Sequence, residues 1–194
     1  THTDSSAASD VYKRQSNACI VLTSSLFVND VILENKDNLY FFVSLGFAIV
    51  ALSGLLTQLL LVDRYTFNPK ILVITGITLM AGVFYLLSNT SEIIWFYLLL
   101  MIYGFGGGLA RPGNVSILSL SVNNDEQGAA SGLMGTVFPL GHLITPFSIM
   151  PLYMMDPSFP YLLISILGLF LIVYMFYNQK LFFNFINFEE RKNV

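Results

Sequence analysis

The sequence predicts an all-α integral membrane protein. Three observations carry that prediction. The 194 residues are 55% hydrophobic and 11% charged, against about 25% charged in a soluble domain. Their mean hydropathy is +0.68. The apolar residues are also gathered into long runs separated by short polar loops. A helix crosses a hydrocarbon core of about 30 Å with roughly 20 apolar residues. Backbone in lipid must satisfy its own hydrogen bonds, which favours helices over isolated strands. The strict alternation expected of barrel strands is absent.

Residues 1–15 are polar and show no apolar period, so they are expected to form a non-native or disordered head outside the fold. Ala18–Val28 is apolar but too short to span, and reads as the end of a truncated helix. Leu39–Val62 is a full span with Gln58 as its strongly polar interruption. Ile71–Ser88 is shorter and uncharged. Ile93–Val122 holds a single charge, Arg111. Ala129–Met155 is uncharged apart from what His142 carries, and Phe159–Tyr177 is uniformly apolar. Five full spans and a partial one are therefore expected over residues 16–178. A cytoplasmic or interfacial tail follows at 179–194, opening on the Phe-rich run Leu181–Asn187, which suits the headgroup level.

Short loops force consecutive spans to run antiparallel, so alternate loops share a side. Asp63–Lys70, Asn123–Gly128 and the tail carry Arg64, Lys70, Lys180, Arg191 and Lys192. The opposite set carries only Lys36. The positive-inside bias puts the first set and the C-terminus in the cytoplasm. A net charge of −3 argues against a nucleic-acid partner, and the single cysteine, Cys19, precludes an intrachain disulfide. No metal spacing surrounds His142, since the other histidine is His2. Nothing resembles a nucleophile elbow, a zinc helix or a phosphate loop, so neither a catalytic residue nor a cofactor is expected. The Asn89 and Asn114 glycosylation matches are read as chance.

The most informative stretch is Tyr103–Ser116, Y-G-F-G-G-G-L-A-R-P-G-N-V-S. A dinucleotide fingerprint fails here, because the flanks are transmembrane and Leu109 stands where the third glycine would fall. Gly104 and Gly108, four apart, allow close approach of a neighbouring backbone. Pro112 removes one intrahelical hydrogen bond and is expected to kink the segment. Arg111 lies ten residues from Ser121, or about 15 Å deep at 1.5 Å per residue. An arginine there costs about 2.5–3.5 kcal/mol even on lenient scales. It is therefore expected to face the bundle interior, on one small polar stripe with Gly107 and Asn114. The next span repeats the pattern: Gly128 and Gly132 are four apart, and His142 sits near mid-span, followed by Thr145 and Pro146. An intramembrane histidine is either a hydrogen-bonded structural group or a titrating one.

These residues are similar to a known family. G-F-G-G-G-L-A-R-P-G-N (104–114), the loop N-N-D-E-Q-G (123–128), then A-A-S-G-L-M-G and a proline-bearing helix resemble helices ten and eleven of major facilitator superfamily transporters, most closely the proton-coupled drug-efflux group that includes tetracycline exporters. The loop around Asp63 and Arg64 is similar to that between helices eight and nine. Leu59 and Thr66 stand where the family has glycines. The resemblance covers residues 16–178 and implies the C-terminal six-helix half of such a transporter, lacking its N-terminal half. Helices seven, eight, ten and eleven would line a cavity, with nine and twelve outside. It further implies alternating access, proton-coupled efflux of a small molecule and a bacterial inner membrane. Arg111, Asn114, His142 and Gln58 would serve the substrate or proton pathway. Asp63, Arg64, Asp125 and Glu126 would form a cytoplasmic gate. Gly104, Gly108, Pro112, Gly132 and Pro146 would serve packing and bending. Its partners would be membrane lipid, a small-molecule substrate, protons and the other half of the same polypeptide. The competing readings are a sugar or metabolite uptake carrier, a non-transporting scaffold or receptor, and a membrane enzyme. The last would need acids deep in a span, and none is there.

Overall fold

The computed structural model describes residues 2–32, 38–65, 67–121 and 127–177. Within them, side chains are described except at 2–7, 118, 120, 121, 129–131, 133, 134 and 136–141. The described residues form α1 (His2–Phe27), α2 (Leu39–Thr57), α3 (Pro69–Leu87), α4 (Ile93–Ser121), α5 (Gln127–Met155) and α6 (Phe159–Tyr177). α1 runs into a π-helical turn at Val28–Ile32, and α2 into another at Gln58–Val62. Four segments are long and apolar enough to cross a membrane: Leu39–Val62, Pro69–Leu87, Ile93–Ile117 and Phe159–Tyr177. Two of them match the expected bounds to the residue, and the other two overlap the expected spans Ile71–Ser88 and Ile93–Val122. The fifth, expected over Ala129–Met155, is the 29-residue helix α5.

Local chemistry explains several boundaries. Asn68 caps α3, its side chain accepting from the Lys70 N–H at 3.0 Å, and Pro69 opens the helix where a missing N–H costs nothing. Asn38 precedes α2 with φ of 83°, a left-handed value that asparagine tolerates better than most residues. Before α6, the Asp156 carboxylate accepts from the Ser158 N–H at 2.7 Å.

The polar head departs from expectation. Residues 2–15 continue the winding of the apolar stub, and α1 reaches 26 residues. The first glycine of the chain is Gly46 and the first proline Pro69, so nothing interrupts the helix. Its inward face is Ser9, Tyr12, Ser16, Cys19, Thr23 and Phe27, all buried. Their spacing of three and four residues is helical, but most carry a polar atom, so an apolar period is missing.

α4 is the hub, because three of its faces meet three different neighbours. Gly104 and Gly108 lie against Val50, Gly54 and Thr57 of α2, where Ser53 Oγ also donates to the Met101 carbonyl at 2.7 Å. Gly106, Ala110 and Gly113 lie against Gly76, Val73 and Pro69 of α3. Phe96, Tyr103 and Asn114 face α1, meeting Phe27, Ser16 and Ser9 in turn. These pairings make α2 parallel to α4, and α1 and α3 antiparallel to it. One end of the bundle therefore carries residues 28–32, 88–92 and 156–158. The other carries residues 63–65 after α2 and the end of α4.

The span expected on the outside as helix nine, α3, is the most enclosed, with 50% of its window buried, whereas the α2 span has 6%. α3 is clasped between α4 and α6: Gly168 of α6 abuts Ala81, and Phe84 abuts Tyr161. Having no polar duty, it is free to fill the centre of this chain. Phe84 is fully buried, edge-on to Tyr103 at 5.8 Å between ring centroids and 6.1 Å from Tyr161, which also meets Phe27 at 4.9 Å. Phe84→Ala would leave a ring-sized cavity and is expected to cost about 3–5 kcal/mol. Thermal unfolding in detergent would show a lower midpoint, and an unchanged midpoint would contradict this packing.

Candidate functional site

The site is built on a part of α4 that no side chain among the described residues packs against. Gly107 and Arg111 are one turn apart. A Cβ added at Gly107 would meet nothing within 4 Å, and Arg111 is exposed. They occupy the sector between the face toward α2 and the face toward α1. α1 brings Lys13 within electrostatic range of Arg111, and Lys13 is itself 3.8 Å from Asp10. A guanidinium has five donors and stays charged at any physiological pH. At this depth it requires water, an anionic partner or protein against it.

Asn114 does not join that stripe. It is 1% exposed, and its side-chain oxygen accepts from Ser9 Oγ at 2.7 Å. Its Nδ2 is buried without a hydrogen-bond partner among the described residues. The reason is angular: three residues beyond Arg111, position 114 has turned about 60° toward α1. The expected polar stripe therefore splits, with Arg111 outward and Asn114 inward.

His142 is half-buried on α5, and Thr145 one turn on is buried. Gln58 is exposed and begins the π-helical turn, its carbonyl accepting from the Asp63 N–H at 3.0 Å. A π-turn is rare and tends to mark functional positions. Asp63 and Arg64 follow it, both exposed at the end of the bundle. Asp125 and Glu126 lie outside the described residues.

The packing residues divide. Gly104 and Gly108 make the close approach expected of them. Gly132 makes none among the described residues, since a Cβ there would meet nothing within 4 Å. Thr145, Ile149 and Tyr153 of α5 are buried. Pro112 does not break α4, which winds as α-helix from Ile93 to Ser121. Pro146 lies inside α5.

Sequence reasoning missed the hydroxyl seam of α1. Ser16 Oγ lies 3.3 Å from Tyr103 Oη, and Thr23 Oγ1 lies 3.0 Å from Tyr161 Oη. It also missed Tyr153, which donates to Asp30 at 3.0 Å. Ser9, Ser16 and Thr23, seven apart on one helix face, are the signal that was there to be read.

Comparison with known proteins fits this arrangement. The family model described as Major Facilitator Superfamily matches residues 21–146, from α1 through most of α5. No curated protein matches the chain. The match covers well over half of the sequence, including the glycine seams of α4 and the Arg111 stripe, and the chain belongs to the major facilitator superfamily of membrane transporters.

Proposed function

We propose that this chain forms the C-terminal half of a secondary carrier that exports small molecules by alternating access, driven by protons. One observation supports this reading above the others: Arg111, deep in a span, is exposed on a stripe of α4 left uncovered by the described residues. A charge at that depth in a span is a functional position by default. A carrier places its site near the midplane between two helical halves. In this reading the bare α2 span and the Gly107–Arg111 stripe face the cavity and the opposing half. Arg111 holds an anionic group or keeps a facing carboxylate ionised. His142 and Gln58 serve the proton or substrate path, and Asn114 supports the wall behind Arg111. Asp63 and Arg64, with Asp125 and Glu126, pair and separate at the cytoplasmic end, where the C-terminus also lies. The membrane is the bacterial inner membrane.

The test is flux. The intact polypeptide carrying this segment is reconstituted in vesicles loaded with an amphipathic fluorescent dye, and a proton gradient is imposed. Dye movement that stops when the gradient is collapsed is the expected result. Gradient-driven flux of a sugar in the inward sense would replace export by uptake. Binding without flux of either probe would replace the carrier by a scaffold or receptor.

A further inference from the structure

We propose that Asp30 and Tyr153 form a latch that holds the last turn of α1 against α5 and releases it during the transport cycle. Its role in turnover rests on the carrier reading above.

α1 is anchored firmly up to Val28. Phe27 is 1% exposed and Val28 fully buried, with the Phe27 ring set between Phe96 and Tyr161. Immediately after the anchor the winding changes from α to π, over Val28–Ile32. π-winding is poorly populated in proteins and persists where surrounding contacts hold it. Asp30 provides such a contact. One of its carboxylate oxygens accepts from Tyr153 Oη at 3.0 Å, and the other accepts from Asn29 Nδ2 at 2.7 Å.

The two partners differ in burial. Tyr153 is 7% exposed, whereas Asp30 is exposed. The bond therefore sits at the boundary between core and water. Water can take over the carboxylate when the bond opens, so opening leaves no buried charge unsatisfied. The Thr23–Tyr161 bond further along α1 is buried on both sides and has no such exchange partner. The first is suited to open and close, the second to stay shut. The latch lies at the opposite end of the bundle from Asp63, and about 27 Å along α4 from Arg111, counting from Ile93. It can control movement without touching a molecule held at Arg111.

The experiment uses the intact polypeptide in vesicles with its native cysteine removed (Cys19→Ser) and a reporter placed on the latched turn (Val31→Cys). Val31 is half-buried against the core. Labelling by a water-soluble maleimide is followed in time. Tyr153→Phe keeps the ring and deletes only the hydroxyl, and Asp30→Ala removes the acceptor. Each is expected to speed labelling about tenfold, the loss of one hydrogen bond to a charged acceptor. The double variant should go no further than the faster single one, because both remove the same bond. Ser158→Ala, at the same end, should leave the rate unchanged. In dye flux, Tyr153→Phe should change turnover while KM stays within about twofold, as expected for a group that contacts no substrate. Unchanged labelling in both variants, acceleration in only one, or a shift in KM at constant turnover would each overturn the latch. Labelling needs no flux, so a chain that moves no dye counts against the carrier reading alone.

Discussion

Replacing Arg111 with alanine is expected to lower transport about ten- to a hundredfold, the cost of losing one charged hydrogen bond to a substrate or facing carboxylate. Insertion should move the other way. The arginine is exposed on α4, deep in a membrane span. Its removal relieves a burial cost of about 2.5–3.5 kcal/mol at the centre of a span. A structural arginine would show the reverse, with insertion and thermal midpoint falling together with activity. Arg111→Lys keeps the charge but not the planar fork of donors, and is expected to recover transport only in part. His142→Ala provides the companion measurement. It should flatten the dependence of flux on pH while leaving the Arg111 effect intact. Unchanged flux and pH dependence in both variants would remove these residues from the pathway.

The second large effect is at Gly76. A Cβ built there would lie 2.5 Å from the Gly106 carbonyl oxygen, 2.8 Å from Ala110 Cβ and 2.9 Å from the Ala110 nitrogen. Two of these three atoms are backbone and cannot rotate aside. Gly76→Leu must therefore push α3 away from α4 along a backbone-to-backbone contact. Overpacking of this kind costs about 1–3 kcal/mol, and more where backbone has to move. In membranes the loss is felt fully, because close packing rather than hydrophobic burial holds helices together. Gly82, on the same helix, is the control, since a Cβ there meets nothing within 4 Å. Gly82→Leu should leave the thermal midpoint in detergent within about 0.5 kcal/mol of the parent, the usual range for an uncrowded surface position. Equal loss at both positions would contradict the backbone-to-backbone seam.

The spans were legible because their signal is one of length and apolarity. Leu39–Val62 and Phe159–Tyr177 were bounded to the residue without knowledge of a neighbour. What packs against what was not legible in the same way. The resemblance placed α3 outside a cavity, but the sequence did not show that its apolar surface and Gly76 seat it between α4 and α6. α1 was undervalued because its inward stripe is made of hydroxyls, which a search for apolar periodicity passes over. At the candidate site, the sequence named residue types but showed their directions only partly. Arg111 and Asn114 are three apart and looked like companions, but the helical turn between them sends one outward and one into the core. Asp30 and Tyr153 are separated by 123 positions, and no local pattern joins them.

The glycine seams of α4 have a consequence for how such a protein can change over generations. On two sides the helix meets its neighbours backbone to backbone, and any side chain added there forces the bundle apart. The line from Gly107 through Arg111 to the exposed Val115 carries no such restriction. If the proposed site is the carrier's, substitutions that alter what is carried would accumulate along that line while the scaffold stays fixed. New specificity would then be open to this chain through single mutations on one strip of one helix.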